Sequence, residues 1–125
     1  MRLVKGFKYA LLGLGHILRS EQNARIHLAI AVAVLGLGIT LGVSPAELAA
    51  IFFAIIIVFV AEVLNTAVEK TLDLIEPEHN GQVAIIKDMA AGAVLVAAGG
   101  AIIIGVVIFW PYILPYTFGI SWLHR

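Results

Sequence analysis

Three long runs without a charged side chain constrain the fold of this chain more than any other feature. Residues 26–43 and 89–110 contain no Asp, Glu, Lys or Arg, and residues 48–61 form another uncharged run. A helix of about 20 apolar residues crosses the ~30 Å hydrocarbon core of a bilayer. Charged residues make up 13% of the chain, against about 25% in soluble proteins. The sequence therefore predicts an all-α integral membrane protein with three transmembrane helices.

The second run continues without a turn signal into an acidic segment. Its polar residues recur every three or four positions, so at ~100° per residue they fall within an arc of about 80° on one helix face. We call this face the acidic stripe, and it comprises Glu62, Asn65, Glu69, Asp73 and Glu76. Like charges at this spacing destabilise a helix. The stripe therefore predicts cationic partners.

Turn-forming residues divide the chain into the segments of a single membrane domain. Ser44-Pro45 indicates a helix cap and restart, and Pro77 ends the second helix. Pro111, Pro115 and the aromatic residues near them mark the exit of the third apolar run through the far interface. We expect an arm at 1–25, transmembrane helices at 26–43, 46–75 and 88–110, a cytoplasmic loop at 76–87 and an extracytoplasmic tail at 111–125.

The N-terminal arm has apolar residues at helical spacing with basic residues between them. Leu3, Val4 and Phe7 are interleaved with Lys5 and Lys8. This pattern predicts an amphipathic helix that lies in the membrane interface. A solvated leader to the first transmembrane helix is the alternative.

The distribution of basic residues predicts the orientation. All of them except Arg125 lie in the arm or beside the loop at 76–87, and all acidic residues except Glu47 lie towards the same side. The positive-inside rule then puts the N-terminus, this loop and the acidic stripe in the cytoplasm and the C-terminus outside. We expect a multi-pass protein of the inner (plasma) membrane.

Polar residues gathered at one membrane face suggest phosphoryl transfer. Glu21 and Glu69, on different helices, are oxygen donors of the kind that Mg²⁺ prefers, and nearby Lys and Arg side chains suit phosphate oxygens. Positioned metal, cations and one base are the main requirements of this reaction. No G-x-x-x-x-G-K-[ST] motif occurs in the chain, so a bound nucleotide is not held by a P-loop.

Glu62 is the candidate base because it lies one to two helical turns deeper than Glu69. An acid within the membrane is a functional hypothesis by default. The alternative is a packing acid that is hydrogen-bonded to Asn65 or to a neighbouring chain. Lys87 and Asp88 precede the third apolar run. Each has a structural interpretation besides a functional one: Asp88 as a helix N-cap and Lys87 as a membrane anchor.

The composition argues against several other classes of functional site. Cysteine is absent, which excludes disulfides and thiolate chemistry. The four histidines have no metal-ligand spacing, which favours structural or surface roles for them. Net charge is zero, so nothing indicates a nucleic-acid partner.

Two motifs together resemble the signature of the small prokaryotic diacylglycerol kinase and undecaprenol kinase family. They are Glu62-Val-Leu-Asn65-Thr-Ala-Val-Glu69 and Lys87-Asp88-Met-Ala-Ala-Gly-Ala-Val-Leu95, and Glu21-Gln-Asn-Ala-Arg25 adds to the likeness. The resemblance covers nearly the whole chain. It implies a membrane-embedded homotrimer, with active sites shared between chains, that transfers the γ-phosphate of MgATP to a lipid alcohol.

The resemblance also implies a role for each matching position. Glu62 matches the catalytic acid that takes the proton of the lipid hydroxyl, and it binds that substrate together with Ala91. Glu21 and Glu69 match the metal-binding carboxylates. The implied nucleotide-binding residues are these two together with Arg2, Tyr9, Asn65, Asp73, Glu78, His79, Asn80, Lys87 and Asp88. Residues 78–80 depart from the common Glu-Tyr-His pattern, which puts the adenine contacts in doubt.

The substrate has two candidates. Phe7-Lys8-Tyr9-Ala10 and Arg25-Ile-His-Leu28 look more like the undecaprenol kinase branch than the diacylglycerol branch. A small proton-coupled transporter that uses Glu62 as its proton carrier is the alternative from another class. The outer half of the predicted bundle has no ionisable residue for such a relay except Glu47, which counts against the transporter.

Overall fold

The computed structural model describes the backbone of residues 2–76 and 80–118, and the side chains of residues 3–76 and 80–114. The described residues form four helices: α1 (Arg2–Ser20), α2 (Gln22–Leu41), α3 (Pro45–Ile75) and α4 (Gly81–Phe118). The last three are long and apolar enough to cross a membrane. The all-helical prediction and the three candidate transmembrane helices are confirmed.

The predicted arm at 1–25 ends earlier than expected. Helix α1 stops at Ser20, and α2 starts at Gln22 rather than at residue 26. Glu21 has an extended backbone, with φ −106° and ψ 122°, and separates the two helices. Arg25 folds back over the end of α1, where its guanidinium donates to the carbonyl oxygens of Leu18 (3.4 Å) and Arg19 (3.0 Å). This contact satisfies carbonyls that a helix end leaves unpaired.

The connection between α2 and α3 is a tight turn with a cap on each side. Gly42 has φ +70°, a left-handed conformation that disfavours other residues, and it ends α2 two residues before the predicted limit at 43. Ser44 Oγ accepts from the Glu47 N–H at 3.3 Å, while the Ser44 N–H donates to Glu47 Oε2 at 2.8 Å. This reciprocal pair is a capping box, so the cap predicted at Ser44-Pro45 is present.

Helix α4 is longer at both ends than the predicted range of 88–110. It begins at Gly81, so half of the loop predicted at 76–87 is helical. Asn80 precedes it, and Asn80 Oδ1 accepts from the Gln82 N–H at 2.9 Å. The polar residues around position 80 favoured a loop in the sequence. In the structure Asn80 caps helix α4, and Gly81 and Gln82 are its first residues. The mostly apolar residues that follow contain no breaker.

The third apolar run is predicted to leave the membrane at Pro111, and helix α4 continues through this residue to Phe118. The length of the helix does not test where the chain leaves the membrane. Proline removes one backbone N–H, a loss that transmembrane helices tolerate where neighbouring groups support the backbone. Tyr112, the next residue, donates its hydroxyl to Glu47 Oε2 at 2.7 Å. This contact holds the residues after Pro111 against the start of α3.

Helix α3 is the central element because it packs against α1, α2 and α4. The small core near the N-terminal end of α3 contains Ile51 from α3 and Ile108 and Phe109 from α4. Most large apolar side chains on the other faces are exposed in the single chain. Those faces suit lipid or a neighbouring chain, whereas the buried polar residues of α3 face inward.

Candidate active site along one face of α3

Glu62 is the buried start of the acidic stripe. It is 3% exposed, and Thr66, one turn further along α3, is also 3% exposed. The nearby part of α2 contributes Ala24, which is fully buried and whose small side chain permits close helix approach. Glu62 Oε2 lies 4.0 Å from His27 Nε2 of α2. An acid held in a dry position beside an imidazole is suited to accepting a proton.

Asn65 and Glu69 form the next part of the site. Asn65 Nδ2 donates to Glu69 Oε1 at 3.2 Å, so Asn65 pairs with Glu69 and not, as the packing alternative supposed, with Glu62. Asn65 is 9% exposed, and its Oδ1 is buried without a hydrogen-bond partner. A buried acceptor without a partner is costly. Asn65 therefore keeps one acceptor that no group of the described chain uses.

Glu21 is held by groups on two sides. Lys70 Nζ lies 2.9 Å from Glu21 Oε1, and Ser20 Oγ donates to the same oxygen at 3.0 Å. The hydrogen bond from Lys70, followed by that from Ser20, lowers the pKa of the Glu21 carboxyl below its ordinary value, and the charge of Lys70 adds to this. The ion pair joins the junction of α1 and α2 to α3.

Asp73 and Lys87 connect α3 to α4. Lys87 Nζ donates to Asp73 Oδ1, so Lys87 is a cationic partner for the acidic stripe. Asp88, the next residue, is exposed and lies well inside α4. The N-cap alternative for Asp88 is therefore wrong. With Lys70 beside Glu69 in the chain, two cations lie at this end of α3.

The remaining predicted site residues are more scattered. Tyr9 is 67% exposed on α1, and Asn80 and Ala91 are exposed on and before α4. The side chain of Arg2 and residues 78 and 79 lie outside the described part of the chain, so the predictions for Arg2, Glu78 and His79 have no structural counterpart. Along and beside α3, eight residues form four separate polar pairs: Glu21 with Lys70, His27 with Glu62, Asn65 with Glu69, and Asp73 with Lys87.

Three contacts in this part of the molecule could not be predicted from the sequence. Lys70 as the partner of Glu21, Arg25 as the cap of α1 and His27 as the neighbour of Glu62 all depend on how separate helices pack. The residues of each pair are far apart in the chain or lie on different helices, so helical spacing carries no signal for them. Lys70 could have been suspected only because it follows the predicted metal ligand Glu69.

The oxygen-donating side chains of this site meet only some of the requirements for binding a hard cation such as Mg²⁺. In residues 3–76 and 80–114 no cluster of three or more His, Asp or Glu side chains could hold a metal ion. Glu69 and Asn65 nevertheless lie one turn apart on α3 and carry oxygen atoms, the donors that Mg²⁺ prefers, and Mg²⁺ at nucleotide sites takes its other ligands from phosphate and water.

Comparison with known proteins decides the family. The sequence pattern of the family described as prokaryotic diacylglycerol kinase matches residues 8–109, a range that contains the whole acidic stripe, Glu21 and Lys87. The chain belongs to the prokaryotic diacylglycerol kinase family. This makes it a membrane protein of a lipid kinase family, as the two motifs predicted, and the transporter alternative has no support.

Two relatives of this family member differ in their named substrates. This chain is 43% identical over 110 residues to the undecaprenol kinase of Bacillus subtilis (strain 168), and the match covers 88% of this chain and 89% of that protein. It is 35% identical over 113 residues to the diacylglycerol kinase of Synechocystis sp. (strain ATCC 27184 / PCC 6803 / Kazusa), covering 90% of this chain and 65% of that protein. The predicted similarity to the undecaprenol kinase branch is confirmed.

Proposed function

We propose that this protein is an ATP-dependent lipid kinase that transfers the γ-phosphate of MgATP to the primary hydroxyl of undecaprenol. The observation that carries the proposal is the order of the polar side chains along one face of α3. On α3 the buried carboxylate Glu62 is followed at successive turns by the oxygen donors Asn65 and Glu69. Two cations lie beyond them, Lys70 on α3 and Lys87 on α4, and both suit phosphate oxygens. The acceptor, metal and nucleotide groups would thus follow one another from the buried end of this face towards the start of α4.

In the proposed reaction Glu62 is the general base. Its carboxylate takes the proton of the lipid hydroxyl while that oxygen forms a bond to the γ-phosphorus. The bond between the γ-phosphorus and the bridging oxygen of ADP breaks, and ADP leaves with the electron pair. The proton remains on Glu62 until it passes to water. The products are the lipid phosphate and ADP, so atoms and charge balance.

The other polar residues bind and orient the nucleotide. Lys87 and Lys70 would exchange their contacts with Asp73 and Glu21 for phosphate oxygens, which leaves these carboxylates free to face the nucleotide. Mg²⁺ held by Glu69, Glu21 and Asn65 Oδ1 would offset the charge on the phosphates. Tyr9, Asn80, Asp88 and the segment 78–80 are proposed nucleotide contacts, and Ala91 a lipid contact.

The proposed assembly is a homotrimer in the plasma membrane, with the N-terminus and the site in the cytoplasm and the C-terminus outside. α1 is proposed to lie in the interface, because its apolar residues Leu3, Val4 and Phe7 are exposed beside Lys5 and Lys8. A neighbouring chain would complete each site by covering the open side of the acidic stripe.

A parallel phosphorylation assay tests the substrate. The protein purified in lipid nanodiscs would receive [γ-³²P]ATP and Mg²⁺ with undecaprenol, diacylglycerol or ceramide, one lipid in each reaction. We expect undecaprenyl phosphate to form fastest. Faster turnover of diacylglycerol would transfer the assignment to the substrate of the Synechocystis relative, and no lipid phosphate from any of the three would overturn the proposed activity.

A further inference from the structure

His27 is an ionisable side chain of α2 beside the proposed base. Its Nε2 lies 4.0 Å from Glu62 Oε2, with side-chain exposures of 24% for His27 and 4% for Glu62. This separation is too long for a direct hydrogen bond, which needs about 2.7–3.2 Å between the two atoms. The two groups therefore face each other across a gap.

A single oxygen atom placed beside the line between these two atoms would bridge them. An oxygen about 2.8 Å from both His27 Nε2 and Glu62 Oε2, an ordinary hydrogen-bond length, would subtend an angle of about 90° between them. A hydroxyl in this position would accept a hydrogen bond from the imidazole N–H and donate its own hydrogen to the carboxylate. Its other lone pair would remain directed away from both groups.

The surroundings of His27 indicate what carries this hydroxyl. His27 also lines a cavity of about 620 Å³ between α2, α3 and α4, and of the described residues that line it, His27 alone has a polar side chain. The other lining residues include Ala31, Ile55 and Phe59. The imidazole is thus at the boundary between an apolar space and the buried carboxylate, where the end of a lipid alcohol meets both.

We propose that His27 is a substrate-binding residue that holds the acceptor hydroxyl between its Nε2–H and Glu62 Oε2. The proposal rests on the lipid kinase function proposed above and adds a residue to it. With one lone pair accepting from His27 and the hydrogen directed at Glu62, the remaining lone pair is fixed for attack on phosphorus. His27 would therefore affect the rate of transfer more than the binding of the hydrocarbon chain.

Two substitutions of His27 separate this role from a purely structural one. His27→Leu introduces an apolar side chain of similar size and removes the donor, whereas His27→Gln places an N–H donor near the former Nε2. Misplacing a reacting atom by about 1 Å costs on the order of 100-fold in rate. We expect kcat to fall roughly 10- to 100-fold in His27→Leu, with a smaller change in KM for the lipid, and to stay within about threefold of wild type in His27→Gln.

Thr40→Val is the matched control. It removes a polar group from the other end of α2, where Thr40 Oγ1 donates to the Leu37 carbonyl at 2.9 Å, and it should leave kcat unchanged. The assay uses the full-length protein in nanodiscs, with rates normalised to the folded fraction.

Three outcomes would contradict the proposals, and they are distinguishable. Wild-type kcat in His27→Leu would overturn the role of His27 while leaving the kinase function intact. Loss of activity in His27→Gln equal to that in His27→Leu would overturn donation from Nε2. No lipid phosphate from the wild-type protein would overturn the kinase function, and the role of His27 with it.

Discussion

Among the described residues, Glu62 is the one carboxylate that the fold buries. The chain encloses it with Asn65 and Thr66 as the other buried polar residues, although an ionised acid inside a membrane is expensive. A side chain retained at such a cost is easier to explain by chemistry than by packing. The resemblance and the burial therefore support the same role for this residue.

Replacing Glu62 should abolish transfer without unfolding the protein. Glu62→Gln keeps the shape and removes the base, so we expect turnover of the lipid to fall by about 10²- to 10⁴-fold with the thermal midpoint unchanged or higher. The measurement is initial rate in nanodiscs together with a thermal melt. Glu76→Gln, an exposed member of the acidic stripe at the end of α3, is the control. Full turnover in Glu62→Gln would remove the base assignment.

The Glu21 ion pair predicts a dependence of stability on pH. Because Lys70 and Ser20 lower the pKa of Glu21 below its ordinary value of 4.5, the pair stabilises the fold fully above that value. The stabilisation is lost as pH falls through the lowered pKa of the folded state. Thermal midpoints measured without Mg²⁺ from pH 6 to pH 3.5 should fall more for wild type than for Glu21→Gln. Parallel curves for the two proteins would contradict this.

At the scale of helices, local signals predicted more than contacts between helices. The capping box at Ser44 and the continuous helix from there to the acidic stripe follow from spacing and from cap chemistry, which act within a few residues. The start of α4 at Gly81 and its passage through Pro111 did not follow from the sequence, because a polar cap resembles a loop and the support for Pro111 comes from Glu47. The contacts of Lys70 and His27 could not be predicted for the same reason, because each depends on how separate helices pack.

The turn after α2 depends on the conformation of one glycine. Gly42 is the one residue with positive φ in the described chain, so Gly42→Ala forces a Cβ into a left-handed conformation at a cost of about 1–2 kcal/mol. We expect a lower thermal midpoint in detergent. Gly36→Ala, within α2 with open space around it, should instead leave the midpoint unchanged or raise it. Equal shifts for the two variants would argue against the cap.

The contact between Tyr112 and Glu47 should stabilise the pairing of α3 and α4 at the end away from the site. Tyr112→Phe removes the hydrogen bond from the tyrosine hydroxyl to the Glu47 carboxylate, so the thermal midpoint should fall. Turnover per folded molecule should stay at the wild-type level, since the proposed active-site residues of α3 are three or more turns from Glu47. Reduced turnover with an unchanged midpoint would assign this contact to catalysis.

At the scale of the whole molecule, small residues of α4 remain without close contacts. A Cβ added at Gly92, Gly99 or Gly100 would meet nothing within 4 Å in the single chain, so these small residues do not serve packing within it. Small residues allow transmembrane helices of different chains to approach closely. They fit the proposed trimer, in which a second chain would approach α4.

The assembly can be tested by mass. Native mass spectrometry of the protein released from nanodiscs should give three times the 13.4 kDa mass of the chain. Gly100→Leu should increase the fraction of smaller species because the larger side chain keeps helices apart, whereas Val96→Leu, at a 77% exposed position, should not. A monomer that retains full activity would contradict both the trimer and the sharing of sites.

Two polar contacts between α3 and α4 have a consequence for how the protein responds to its bilayer. Glu47 with Tyr112 and Asp73 with Lys87 fix the helix pair near both ends of α3, and 26 residues at ~1.5 Å separate these points by about 39 Å. Helices tied at both ends cannot slide past each other to match a thinner or thicker bilayer. The pair must tilt as one body, so membrane thickness would change the angle of the acidic stripe to the membrane surface, and activity should depend on acyl-chain length.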